Sequence, residues 1–157
     1  MKFPEPSESP STISSDLYEA DRKVAENLEI SPGTIVFRIQ KLLYCYQTEP
    51  YAYIVHYVRR DLAPDLLLHI EKEPRLLIAL RSTTDYSLFR TEEHITALSA
   101  DFLLANLLRV KPGDPLLAAY GVTSSDGRNI EHTETYTNTK YSGYKHEMFS
   151  SHSNSEQ

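Results

Sequence analysis

Apolar residues recur at helical spacing in some stretches of the chain and alternate with polar ones in others. The change of rhythm marks the elements. Leu17, Ala20, Val24 and Leu28 fall on one helical face, which predicts a helix over residues 16–28, capped by Ser15 or Asp16 and stopped by Ser31-Pro32-Gly33. Residues 34–46 are rich in β-branched and aromatic side chains and predict a long strand. A turn at residues 47–50 leads to a second strand over 51–59, completing a hairpin. Residues 61–70 hold a short helical piece interrupted near Pro64. A further helix over 73–81 has Pro74 at its first position. Residues 86–98 predict a third strand, and Ser99 caps a helix through residue 109 that Pro112-Gly113-Asp114 ends. Strands over 116–124 and 129–139 flank Asp126-Gly127, a strong hairpin signal, and 144–149 read as a final edge strand. Strands outnumber helices and most are hairpin-linked. The expected fold is α+β, a mostly antiparallel sheet with helices packed on one face.

One unit of this pattern occurs twice. Ala25, Leu28, Ile30, Pro32 and Gly33 are matched eighty positions on by Ala105, Leu108, Val110, Pro112 and Gly113. Each copy reads as helix, Pro-Gly turn and strand. Two copies are too few for a solenoid, which needs at least about three, so the internal pseudo-repeat predicts one domain with two similar halves and a binding site between them.

Composition narrows the functional classes. A chain of 157 residues, 40% hydrophobic and 24% charged, suits one domain with a real core. The net charge of -6 and the lack of a clustered Lys/Arg stripe argue against direct DNA binding. Cys45 is the only cysteine, which excludes an internal disulfide and a cysteine metal cluster and accords with a cytoplasmic location. The apolar runs fall far short of the roughly 20 residues that span a bilayer, so no membrane association is expected. Residues 1–15 and 150–157 are polar and poor in apolar side chains, which predicts disorder at both ends and a folded domain over about residues 16–149.

Four stretches, in order, carry a resemblance. VAENLEISPGTIVFRIQKLLY, EPYAYIVHYVRRDLAPDLL, FRTEEHITAL and ANLLRVKPGDPLLAAYGVTSSDGRNIEH, with its Pro-Gly-Asp-Pro-Leu turn and its closing Glu-His hairpin, resemble the UTRA domain over about residues 17–145. That domain is the effector-binding half of HutC-type GntR transcription regulators. The resemblance implies a chorismate-lyase-like fold and a small-molecule sensor. It also implies a homodimer, no cofactor, and DNA contact only through a separate winged helix-turn-helix that precedes the domain in complete regulators. Nothing in this chain resembles that module, so the expectation is an excised effector domain or a stand-alone relative.

The resemblance also points to candidate ligand positions. The family's Arg-x-Arg pair on the first strand is matched here by Lys41 and Leu43. An Arg grips an anion bidentately; Lys offers a point charge and Leu none. Lys41 alternates with Phe37, Ile39 and Leu43, so it either meets a ligand on an apolar face or snorkels at a sheet edge. Ile54 falls where the family often has a polar or acidic residue, and His56 lies two positions along on the same face, as a ligand donor or a hydrogen-bonded structural histidine. Arg75, at a helix start, restores the charge lost at Leu43 or is solvated. Arg90 is a ligand clamp or an ion-pair partner of Glu92. Glu131 matches a position that accepts hydrogen bonds from a ligand hydroxyl or amine. The family's Tyr-Arg-Gly-Asp-x-Tyr-like run reads Tyr136-Thr-Asn-Thr-Lys-Tyr141, without its Arg, Gly and Asp, and the segment from His132 to Tyr136 is one residue short, which leaves open whether Tyr136 or Thr137 faces the pocket. No metal-spaced His/Cys set and no catalytic constellation stands out, so a sensor rather than an enzyme is expected. A chorismate-lyase-like enzyme and a ligand-free dimerisation module are the alternatives. The missing Arg-x-Arg argues against a sugar phosphate as effector.

Overall fold

The computed structural model describes residues 11–46, 48–86 and 88–141. Its elements run β1 (Ser11–Glu19), α1 (Arg22–Leu28), β2 (Ile35–Cys45), β3 (Glu49–Val58), α2 (Leu66–Ile70), α3 (Leu76–Thr83), β4 (Arg90–Ser99), α4 (Phe102–Leu108), β5 (Pro115–Ser125) and β6 (Arg128–Asn138). The six strands form one sheet in the order β1-β2-β3-β6-β5-β4, antiparallel at every step.

That order is two copies of one strand–helix–strand–strand unit placed back to back, with β3 and β6 side by side at the centre. The local geometry repeats bond for bond. Asp21 and Asp101 cap α1 and α4 through their carboxylates, and both helices close on a left-handed residue, Glu29 at φ 55° and Arg109 at φ 52°. The chain then turns back through Gly33 and Gly113, at φ 84° and 88°, where a side chain is strained. The Gly33 and Gly113 amides donate to the Ala20 and Ala100 carbonyls, both at 2.8 Å. The repeat seen in the sequence is the helix-to-strand part of this larger unit.

Two cores flank the sheet. Val24, Ala25 and Leu28 of α1, with Leu104, Ala105 and Leu108 of α4, pack on Val36, Leu42, Val55 and Leu116 of the strands. Both helices lie on one face through these narrow apolar stripes; the outer side of α1 is charged, with Arg22, Lys23 and Glu26 exposed, whereas α4 exposes Phe102 and Leu103. The opposite face carries Phe37, Ile39 and Val58, and the short α2 and α3 cover it at one end through Leu66, Ile70, Leu76, Ala79 and Leu80. Beyond that cover, Ile54, Ala119 and Thr135 are half-buried.

The structure corrects several sequence expectations. The first helix starts at Arg22, not near residue 16, and residues 11–19 are a strand along β2. Residues 11–15, expected to lie outside the fold, therefore belong to the sheet. Leu17, placed on the helical stripe, is 56% exposed, because residues 14–19 alternate as an edge strand does. Asp16 belongs to the strand pair, where its carboxylate receives Arg38 Nε at 2.9 Å and Nη2 at 2.6 Å. Pro74 precedes the cap of α3 at Arg75 instead of opening the helix. Ser99 ends β4, and Asp101 caps α4 in its place. The strand expected at 144–149 lies outside the described residues, as does the tail.

Candidate ligand site

Register sets which side chains share a face. Directly opposed residues of an antiparallel pair point the same way. Ile39, His56, Thr133 and Gly121 form one such row across β2, β3, β6 and β5. Lys41, Ile54, Thr135 and Ala119 form the next, and Phe37, Val58, Glu131 and Thr123 the row on the other side. Four of the candidate residues, Lys41, Ile54, His56 and Glu131, thus meet on the face that α2 and α3 partly cover.

Glu131 is the electrostatic centre of this face. It is 4% exposed, and its Oε1 lies 2.6 Å from Nδ1 of His56 and accepts the Thr133 hydroxyl at 2.8 Å. A carboxylate only accepts, so Nδ1 of His56 carries the shared proton. Burial opposes the Glu131 charge, but the bonds from His56, Thr133 and Thr123 outweigh it and hold the carboxyl below its ordinary range. Lys41, also 4% exposed, is pushed the other way: burial lowers its ammonium, while the fields of Glu131 and Glu73 partly offset the loss. Its Nζ donates to the Pro74 carbonyl just before α3, so the amine that the sequence left without a partner ties this face to the α3 entry.

Arg75 lies at that entry, its side chain 70% exposed, and both Nε and Nη2 donate to Glu73 at 2.7 Å. Two candidates fall elsewhere. Arg90 has the parity of Glu92 and His94 and points to the α1 side of the sheet, where it pairs with Glu92 at 2.8 Å and both side chains are 73% exposed. There it borders an open cleft of about 480 Å³ with Glu26, Asn27, His94 and Tyr120. Tyr136 also faces that side and donates to Glu134 at 2.7 Å. Thr137, opposite Ala52, therefore lies on the face of Lys41, Ile54 and Glu131. Strand alternation is the physical reason in both cases: one step along the strand exchanges faces.

Sequence reasoning missed two groups. The hydroxyls of Thr133, Thr135 and Thr137 line β6 at a period of two, a pattern visible in the sequence. Behind them, on the α1 side, Lys23, His132 and Tyr136 converge on Glu134, with Lys23 Nζ at 2.9 Å and His132 Nε2 at 3.3 Å. Among the described residues every buried polar side-chain atom has a partner. No described group of three or more His, Cys, Asp or Glu could hold a metal ion. No described helix is long and apolar enough to cross a membrane.

Comparison with known proteins places this architecture. A GntR-family transcriptional regulator from Enterococcus faecalis V583 superimposes with a TM-score of 0.79 at 18% identity, over 89% of this chain and 100% of that one. The C-terminal domain of the histidine utilization repressor from Pseudomonas syringae pv. tomato str. DC3000 gives 0.80 at 16% identity, over 90% and 98%. A GntR-family regulator from Bacillus cereus gives the same values. At such identities the likeness establishes the fold. The chain spans 15% of the length of the curated relative it matches, the indolin-2-one monooxygenase of Zea mays, at 30% identity over 81 residues or 52% of this chain. The UTRA domain family model matches residues 10–142, which include the whole described sheet and its helices. The chain therefore belongs to the UTRA domain family.

Proposed function

We propose that the face bearing Lys41, Ile54, His56 and Glu131 receives a small-molecule metabolite, flanked by Arg75 at the α3 entry and by Thr137. Ligand binding shifts the domain between two conformations and so controls DNA binding by a winged helix-turn-helix module of a cytoplasmic, homodimeric regulator. The observation that carries this reading is the bond between half-buried His56 and buried Glu131 beside buried Lys41, next to a row of half-buried hydroxyls. Charged groups are rarely held inside a sheet face without a partner to recognise or a structural need. Here they meet at the point where the cover of α2 and α3 gives way to half-buried Ile54, Ala119 and Thr135.

The test is a thermal-shift screen of polar metabolites on wild type, Glu131→Gln and Arg90→Ala. A ligand present at about 100 times its Kd adds about 2.7 kcal/mol of stability. The expected result is a shift shared by wild type and Arg90→Ala and lost in Glu131→Gln. A shift retained in Glu131→Gln but lost in Arg90→Ala would move the site to the opposite face.

A further inference from the structure

We propose that two copies of this chain join through β4, edge to edge and antiparallel, about a two-fold axis at Ile95. The proposal rests on the homodimer part of the reading above and does not require the ligand site.

β1 and β4 are the two outer strands of the sheet and hold equivalent places in its two halves, so each is a control for the other. An outer strand presents unpaired amides and carbonyls, and proteins guard such edges with bulges, charges, proline or cover. β1 is guarded. Its register with β2 breaks between Thr12 and Ser14, Asp16 pairs with Arg38, and Ser14, Asp16 and Tyr18 are half-buried. β4 is not. Its register with β5 runs unbroken from Arg90 to Ser99, and every residue but Leu98 is exposed, so both faces are open as well as the edge. From His94 to Ser99 it carries no Lys, Arg, Asp, Glu or Pro. The helix that follows repeats the contrast. Arg22, Lys23 and Glu26 on the outside of α1 are replaced on α4 by Phe102, Leu103 and Asn106, with Phe102 83% exposed.

The charge pattern fits a second copy. Arg90, Glu92 and Glu93 lie in the first half of β4, and the second half is neutral. Antiparallel pairing about Ile95 sets Glu92 against Leu98, Glu93 against Ala97 and His94 against Thr96. It sets Ile95, 43% exposed, against its own copy. Opposed residues keep the same parity, so each face of one sheet runs on into the other. An axis at Glu92 or Glu93 opposes a carboxylate to itself, which is unfavourable. An axis at Thr91 pairs Arg90 with Glu92 but leaves the neutral half without a partner. Among the axes without such a clash, Ile95 is the one that brings the two exposed isoleucines into contact. The same register carries Leu88, also exposed, toward Phe102 of the other copy.

The test is sedimentation equilibrium of the full chain, with melting temperatures to establish that each variant is folded. Wild type should dimerise. Ile95→Glu and Ile95→Lys each set two like charges about 5 Å apart at the axis. Each should raise the dimer Kd by about tenfold or more. Mixing the two variants opposes a carboxylate to an ammonium and should restore the dimer, a recovery that a folding defect cannot give. A monomeric wild type overturns the homodimer itself. A dimer that both variants keep at wild-type strength overturns β4 as the interface and leaves the homodimer in place. Loss in both variants without recovery on mixing overturns the axis at Ile95.

Discussion

Asp21 and Asp101 hold equivalent places in the two halves of the sheet: Oδ1 of Asp21 accepts the Val24 amide at 2.9 Å, and Oδ1 of Asp101 accepts the Leu104 amide at 2.8 Å. Each satisfies an amide that a short helix leaves without an internal partner. Asp21 has a second task, accepting the Tyr18 hydroxyl at 3.1 Å. Replacement of either aspartate by Ala should cost about 1 kcal/mol in urea unfolding, with Asp21→Ala the larger loss. The helices are separate elements, so the double variant should be additive within about 0.5 kcal/mol. Strong non-additivity would show that the two halves do not unfold as one unit.

Glycine has two different roles here, and alanine substitution separates them. Gly113 sits at φ 88° with open space where a Cβ would go, so Gly113→Ala is opposed by the backbone alone and should cost about 1 kcal/mol. Gly121 has no such positive φ, and a Cβ there makes ordinary contacts at 3.8 Å and beyond. Gly121→Ala should leave stability unchanged or raise it by about 0.5 kcal/mol. It should also weaken metabolite binding by adding a methyl group beside Thr133. Thermal melts with and without ligand distinguish these outcomes.

Acid should loosen the attachment of α1 to the sheet. Burial alone would raise the Glu134 carboxyl, but hydrogen bonds from His132, Lys23 and Tyr136 outweigh it and bring the carboxyl down to about 2, against an ordinary 4.5. The folded value lies below the unfolded one. Its stabilisation is therefore complete above pH 4.5 and is lost as pH falls toward 2. Wild type should show a steeper fall in unfolding free energy than Glu134→Gln across that window. Equal slopes would remove Glu134 from the acid response.

Much of this architecture is legible in the residues, and the exceptions share a cause. The second hairpin follows from Asp126-Gly127, and the halves follow from the recurrence of Pro32-Gly33 at Pro112-Gly113. The beginning of the chain is different. Ala20, Val24 and Leu28 do share a buried helical side, and Leu17 sits at compatible spacing by coincidence. Residues 11–19 become a strand because β2 offers an open edge and Arg38 a partner for Asp16, both distant in sequence. No local pattern encodes that. The candidate site divides in the same way. Lys41, Ile54 and His56 follow from alternation within one hairpin, whereas the parity of β4 and of the end of β6 depends on where those strands begin and on a bulge between Thr123 and Ser124. For that reason the sequence leaves Arg90 between a ligand clamp and an ion-pair partner of Glu92, and leaves open which of Tyr136 and Thr137 faces the side of Lys41.

Tyr136 and Thr137 turn that parity into a measurement. The Tyr136 hydroxyl donates to Glu134 on the α1 side, and its ring lies 6.3 Å from Tyr53 in a stacked pair. Tyr136→Phe keeps the ring and deletes a bond to a charged group, which should cost about 1.5 kcal/mol of stability. It should leave metabolite affinity unchanged. Thr137→Val keeps shape and removes a hydroxyl from the half-buried opposite face, with an expected stability change under about 0.5 kcal/mol. Loss of one neutral hydrogen bond of about 1 kcal/mol to the ligand corresponds to about fivefold weaker binding. The two variants should therefore separate stability from affinity in opposite directions. A Tyr136→Phe variant of normal stability but weakened binding would place the phenol, not the threonine, against the metabolite, and the sheet face assigned to recognition would be the wrong one.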